Sequence, residues 1–182
     1  ALATELTYGT LRREGTYDAI IAHAAGRPAD RIDPAVLDAL RLGAHQLLSM
    51  RTPSHAAVNE TVRQVRQAAG KPASGFANAV LRRVSERTPE EWLDRLDNTA
   101  RSEDERLGLR YAHPVWVIRA FRRALAAEDR EDELTALLEA DNASPVVTLA
   151  ALPGLGEIPD DAARTPYSPI GFRSPGGDPA TL

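Results

Sequence analysis

The stretch Asp33-Pro34-Ala35-Val36-Leu37-Asp38-Ala39-Leu40-Arg41-Leu42-Gly43-Ala44-His45-Gln46-Leu47-Leu48 decides the fold. Asp33 supplies a side-chain acceptor for the free N–H groups of a first helical turn. Pro34 brings a φ already set for the first helical position. Behind them Leu37, Leu40, Ala44 and Leu47 recur at helical spacing, flanked by Val36, Leu42 and Leu48. An apolar face this wide cannot be covered by one neighbour, so the segment is expected to be a central, well-buried helix.

Helices are expected on both sides of it. Upstream, Leu2, Leu6, Tyr8 and Leu11 fit a first helix broken at Gly15, and Thr16 to Ala25 a short second one carrying Ile20 and Ile21, ended by the turn Gly26-Arg27-Pro28. Downstream, Thr52-Pro53-Ser54 is expected to end the central helix and cap the next. Val58, Val62, Val65 and Ala69 then form one inward face, with Asn59, Arg63 and Arg66 along its flank. Gly70-Lys71-Pro72 reads as a stop and turn, after which Phe76, Val80 and Val84, beside Ala77 and Leu81, make another stripe. Arg82 and Glu86 point away from it and Arg83 lies near its edge.

Thr88-Pro89-Glu90-Glu91 has the capping hydroxyl, proline and first-turn acids of a helix start, followed by Trp92, Leu93 and Leu96. The polar run Asp97 to Arg106 reads as a hinge or short helix. Val117, Ile118, Phe121 and Leu125 mark a further helix after Pro114, with Trp116, Arg119, Arg122 and Arg123 on its other side. A short acidic helix spans Glu131 to Glu139. At Ser144-Pro145 the texture changes: Val146 to Leu149 reads as a strand, and a Pro- and Gly-rich tail follows. A loop that long is unusual inside a compact domain, so the tail is expected to be a second domain begun and not finished, mobile for want of a sheet to join.

The 182 residues carry a net charge of −4, which is unfavourable for nucleic acid taken at face value. The average conceals two unlike parts. Through Arg87 there are twelve basic and eight acidic residues, a balance of +4; the remainder has ten and eighteen, a balance of −8. Lys71 is the one lysine, so arginine provides nearly all the cations, and its planar fork suits phosphate. There is no cysteine, hence no disulfide, thiolate metal site or cysteine nucleophile. No apolar stretch reaches membrane-spanning length and no secretory signal opens the chain, so a soluble, cytoplasmic protein without a membrane partner is expected.

Catalytic and metal patterns are missing. There is neither GxGxxG nor a P-loop, and His23, His45, His55 and His113 fall into no metal-ligand spacing. Glu103-Asp104-Glu105 and Glu131-Asp132-Glu133 are expected to be solvated helix starts with unperturbed carboxyl groups. Nucleic-acid binding fares better, because outward arginines on packed helices place donors rigidly. One candidate surface gathers Arg12, Arg13, Arg51, Arg63, Arg66, Lys71, Arg82 and Arg83. The other is Trp116 with Arg119, Arg122 and Arg123, an aromatic–arginine combination suited to stacking on single-stranded RNA. The competing account of Trp116 is packing against a following domain.

Several motifs occur in an order that identifies a relationship. Glu5-Leu6-Thr7-Tyr8-Gly9-Thr10-Leu11-Arg12, Leu40 to Leu48, Pro53, Ala57-Val58-Asn59-Glu60-Thr61-Val62 and Gly75-Phe76-Ala77-Asn78-Ala79-Val80-Leu81-Arg82-Arg83 together resemble the NusB-like helical domain. His113-Pro114-Val115-Trp116, Asn142-Ala143-Ser144-Pro145 through Leu149, and Tyr167-Ser168-Pro169 with Gly177-Asp178-Pro179 are similar to the linker, first strand and pre-catalytic segment of the Sun/Fmu (RsmB-type) 16S rRNA cytosine-C5 methyltransferases. After Leu149 the sequence departs from that pattern, with Ala150-Ala151-Leu152 where an Arg-Val-Asn run is expected.

The resemblance implies an all-α, NusB-like bundle over residues 1–87, a helical extension and linker over 88–144, and the truncated first strand of an α+β domain over 145–182. It implies an RNA-binding N-terminal region that positions 16S ribosomal RNA, with a ribosomal protein as a candidate second partner. S-adenosylmethionine and the cysteine pair that attacks cytosine would belong to a catalytic domain outside this chain. With no cysteine, the chain is expected not to methylate alone. Asn59, Glu60 and Asn78 carry much of the resemblance and are expected to be satisfied hydrogen-bonding groups at helix junctions. The rival readings are a NusB-type transcription antitermination factor binding RNA and a ribosomal protein, and a protein-interaction module docking through its acidic half.

Overall fold

The computed structural model describes residues 2–50, 52–143 and 146–173. They form two units, a helical one through Asn142 and a small β unit after it. Among the described residues, no helix is long and apolar enough to cross a membrane.

Helix α1 is not uniform. It starts as Leu2–Thr4, widens to a π-helical stretch over Glu5–Gly9 and closes as Thr10–Arg12. Across from this stretch the His45 ring sits directly on Gly9. A β-carbon there would stand 2.5 Å from both Cε1 and Nε2 of His45 and 2.8 Å from Oε1 of Glu5. The break expected at Gly15 falls instead at Arg13 (φ −116°, ψ 18°), and Gly15 lies inside α2 (Glu14–Ala25). Gly15 meets no other residue, so it exerts no demand on the backbone. Helix α2 ends on Gly26, whose φ of 68° is left-handed.

After a 3₁₀ turn at Ala29–Arg31, α3 spans Pro34–Leu48 as expected. Asp33 accepts from the backbone N–H groups of Ala35 at 3.0 Å and Val36 at 3.3 Å. Leu40 and Ala44 are fully buried. At Gly43 the helix passes so close to its neighbours that a β-carbon would lie 2.9 Å from Thr61 Oγ1 and 3.0 Å from Leu81 Cδ2.

Those neighbours belong to the run Ser54–Ser85, which Gly70 (φ 82°, ψ −178°) divides into α4 (54–69) and α5 (71–85). The expected stop at Gly70-Lys71-Pro72 is therefore a one-residue break with no loop. Pro53, not a hydroxyl side chain, occupies the cap position of α4, and no side-chain hydrogen bond caps it. Val58, Val65, Ala77, Val80, Leu81 and Val84 point into the core.

Helix α6 (Pro89–Asp97) opens with a reciprocal cap, Thr88 receiving the Glu91 N–H and Glu91 receiving that of Thr88. Its Trp92 is 1% exposed and donates from Nε1 to the Val84 carbonyl at 2.9 Å. Trp92 and Leu96 complete the same core as the preceding helices. A second, smaller core joins α7 (Glu103–Tyr111), α8 (Val115–Ala126) and α9 (Leu134–Asn142) through Leu107, Ile118, Leu134 and Leu138. Of the polar run Asp97 to Arg106, read as a hinge or a short helix, Glu103 to Arg106 form the start of α7. Thr16 Oγ1 donates to the Leu109 carbonyl at 2.6 Å and ties α7 to α2.

In the second unit the expected strand begins two residues late, as β1 (Thr148–Ala150). The tail does not lack a sheet. Ala163–Arg164 (β2) and Gly171–Arg173 (β3) build one with it, antiparallel, in the order β1-β3-β2. Leu149 pairs with Phe172, which is 5% exposed. Gly177, Asp178 and Pro179 lie outside the described residues.

Beneath α1, His45 is 2% exposed. Its Nδ1 is 2.8 Å from the Tyr17 hydroxyl, which is also 2.8 Å from the Ser49 hydroxyl. Its Nε2 lies 3.4 Å from Glu5 without forming a hydrogen bond. Burial lowers the His45 pKa, Glu5 opposes that, and Arg13 and Arg12 add to it. A proton on His45 therefore favours the unfolded chain. Stability is expected to be fully held above the ordinary histidine range, near pH 6.5, and to fall as the pH drops through the lowered folded value. Calorimetric melts between pH 8 and 5 check this, and His45→Gln should flatten the profile. Gly9→Ala, which drives a methyl group into that ring, is expected to cost about 1–3 kcal/mol in urea unfolding.

Candidate nucleic-acid interface

The expected arginine surface divides by the partners its members have. Arg63 is held by Glu60 through two hydrogen bonds, at 2.9 and 2.6 Å. That pairing, with help from Gln64, holds the Glu60 carboxyl down to about 2. A cation so neutralised has less to offer a phosphate. Glu60 is thus a surface ion-pair partner three residues from Arg63, and Asn78 accepts from Arg82 Nε at 3.3 Å one turn away. Asn59 is exposed. Glu60 and Asn78 thus make local contacts along their own helices, not the helix-junction bonds expected of them.

Arg66 and Lys71 are exposed on either side of the Gly70 break. Neither has an ion-pair partner among the described residues. Arg12 and Arg13 are half-buried at the α1–α2 junction and likewise unpaired there. Arg51 lies outside the described residues. Arg83 donates from its guanidinium to the Ala24 carbonyl at 2.8 Å and so closes the C-terminal end of α2.

On α8, Trp116 is 72% exposed, so the helical core does not absorb it. Asp104 takes up two of the arginines beside it, Arg119 at 3.3 Å and Arg122 at 2.7 Å. The Asp104 carboxyl is held below its ordinary range chiefly by Arg122, and that of Glu103 by Arg106. Both acids are therefore perturbed, contrary to expectation, but toward permanent ionisation, which suits an ion pair and not proton transfer. Arg123 is exposed and has no ion-pair partner among the described residues.

A third group of cations had no signature in the sequence. Around the end of α2, the Arg27 guanidinium stacks 4.2 Å from the centre of the Phe76 ring, and that of Arg87 5.2 Å from Trp92. Arg95 donates from Nε to Nε2 of His23, whose ring meets Trp92 edge-on at 5.7 Å. Burial, Arg95 and Arg87 all lower the His23 pKa, which keeps the ring neutral and able to accept. With Arg83, this places four guanidiniums about the end of α2 and the turn after it, residues 23–27, supported by aromatic faces, a carbonyl and an imidazole. None of the four is ion-paired among the described residues. Arg27 and Phe76 are far apart in sequence, so no local pattern could have announced the contact. Nor do the described residues include a cluster of three or more potential metal ligands.

The two tryptophans give a direct check on this arrangement. Trp92→Ala is expected to cost about 3–5 kcal/mol of stability. Trp116→Ala should change it by less than about 0.5 kcal/mol. Urea titration followed by circular dichroism separates them.

The NusB family's sequence profile matches residues 1–86. A Mycobacterium tuberculosis protein named as a methyltransferase, provisionally and without a substrate, is 42% identical over the whole chain, which covers 41% of its length. The ribosomal RNA small subunit methyltransferase B of Vibrio cholerae is 33% identical over 78% of the chain and 30% of its own length. The Escherichia coli O157:H7 protein of that name is 31% identical over 82% of the chain and 32% of its own length. The chain thus spans between three- and four-tenths of the length of these relatives. The helical bundle and the matched stretch agree on a NusB-like domain over residues 1–86, and over most of its length the chain is similar to proteins named as ribosomal RNA small subunit methyltransferase B.

Proposed function

We propose that this chain is the RNA-binding N-terminal region of an S-adenosylmethionine-dependent 16S rRNA cytosine-C5 methyltransferase. Its work is to hold ribosomal RNA in place for a catalytic domain on the rest of the protein. The observation that carries the reading is the set of cations left without carboxylates on the helices and on the turns that join them. These are Arg27, Arg83, Arg87 and Arg95 around the end of α2, with Arg66, Lys71 and Arg82 along α4 and α5. An unpaired guanidinium can release counterions from an RNA backbone, whereas one already bound to a carboxylate gains little by the exchange. Arg12, Arg13, Arg51 and Arg123 belong to the same proposal as further contacts, Arg63 and Arg119 as weaker ones. Trp116 offers an exposed face on which an unpaired base can stack.

Under this reading the cofactor and the covalent attack on cytosine reside in the catalytic domain. The residues of this chain supply orientation, so that one base can be extruded toward that domain. A free antitermination factor is the weaker account. The relatives whose likeness extends past the NusB-like stretch, to 78–100% of the chain, are named as methyltransferases. A ribosomal-protein partner would fit either reading.

Fluorescence anisotropy with a 16S rRNA fragment at several salt concentrations tests the proposal. Affinity should fall steeply with salt. Arg27→Gln with Arg95→Gln should weaken binding and reduce the slope of log K against log salt by about 0.7–0.9 for each lost contact. Arg63→Gln should do less, and Trp116→Ala should weaken single-stranded more than duplex RNA. Binding indifferent to salt, or no binding, overturns the reading.

A further inference from the structure

Arg12 and Arg13, half-buried where α1 and α2 join, are not the whole of that region's surface. Where the two helices join, a cleft of about 440 Å³ runs between α2 and the α7–α8 connection. A second, of about 280 Å³, runs between α1 and α3. Leu11 and Glu14 line both, so the two are lobes of one groove crossing the junction. Its walls are apolar: Leu11, itself 58% exposed, and Leu42 on one side, Leu109, Pro114 and Val115 on the other.

The charges in it have one sign in excess. Glu14, Asp18, Asp38 and Glu105 line the groove against a single cation, Arg41. Arg41 contacts Asp18 at 2.7 Å, Glu14 at 2.8 Å and Asp38 at 3.0 Å. One guanidinium among three carboxylates leaves two negative charges uncompensated, and Glu105, which accepts the Arg101 backbone N–H, adds a third. The lining imidazole, His113, is 3.4 Å from Asp141. Arg12 and Arg13 adjoin in sequence but do not line either lobe. Thr10 also lines the smaller lobe; it is 6% exposed, and its shielded Oγ1 has no hydrogen-bond partner among the described residues.

We infer that this groove is a docking site for a basic, partly apolar segment of a partner protein. An aliphatic side chain of that segment packs against Leu11, and Lys or Arg side chains meet Glu14, Asp38 and Glu105. Phosphate is excluded by the same charges, so the groove and the arginine surface sort their ligands electrostatically and stand independently of one another.

Gly15 makes the inference testable without unfolding the protein. It lies within α2, lines the larger lobe, and a β-carbon there would meet nothing within 4 Å. Gly15→Phe therefore fills the lobe at no cost to the core. Random 12-residue peptides displayed on phage and selected against the 182-residue chain should converge on segments combining Lys or Arg with Leu, Ile or Val. A fluorescein-labelled copy of the selected peptide should bind about tenfold or more weakly to Gly15→Phe and to Leu11→Ser/Asp38→Asn, and more weakly in high salt. The same variants should retain full affinity for the 16S fragment. Selection of acidic or unrelated peptides, no selection, or unchanged binding by the variants overturns the inference. Loss of RNA binding with intact peptide binding would instead count against the RNA reading alone.

Discussion

Gly43 is where three helices come together more closely than any side chain allows. A β-carbon there would press on Thr61 of α4 and Leu81 of α5 at once. Both are fully buried or nearly so, and neither can retreat. Thr61 is further fixed by its bond to the Ala57 carbonyl at 2.9 Å. With the α3 backbone seated against the α4–α5 pair, its two sides become available to others. Leu40 and Ala44 face the common core, His45 meets α1 and α2, and Arg41 gathers the carboxylates of α2. The first core of the helical unit, with α1, α2, α4 and α5 around it, is positioned by what α3 presents after this contact is made.

What could be read from the chain is what depends on near neighbours. The face of α3, the Asp33 cap and the reciprocal Thr88–Glu91 cap rest on spacings of two to four residues, and all form as their sequences suggest. The break in α1–α2 was misplaced because glycine is a permissive residue and not a compelling one. Gly15 stays helical in open space, while Gly9, unremarkable in its sequence, is fixed by a histidine from another helix. The β unit was half legible for a similar reason. The β-branched Val146, Val147 and Thr148 announce a strand at or just before β1, but β2 and β3 are too short to show alternation, and only the pairing of Leu149 with Phe172 gives them meaning.

Charge was the least legible property. The positive balance of the first 87 residues says nothing about which cations are spent inside the protein. Arg41, Arg110 and Arg122 are consumed by carboxylates that hold helices together. Arg27, Arg83, Arg87 and Arg95 instead rest on aromatic faces, a carbonyl and a neutral histidine, supports that position a guanidinium without cancelling it. The difference between a structural and an available arginine is thus a matter of its partner, which the fold alone decides.

The division of the Ser54–Ser85 run at Gly70 has a chemical corollary. The residue directly after the break is Lys71, exposed and the single lysine in the chain. An acylating reagent selective for side-chain amines therefore has one address on this protein, at the corner between two rigid helices. A dye or spin label placed there reports local motion at the corner between α4 and α5, with no engineered cysteine.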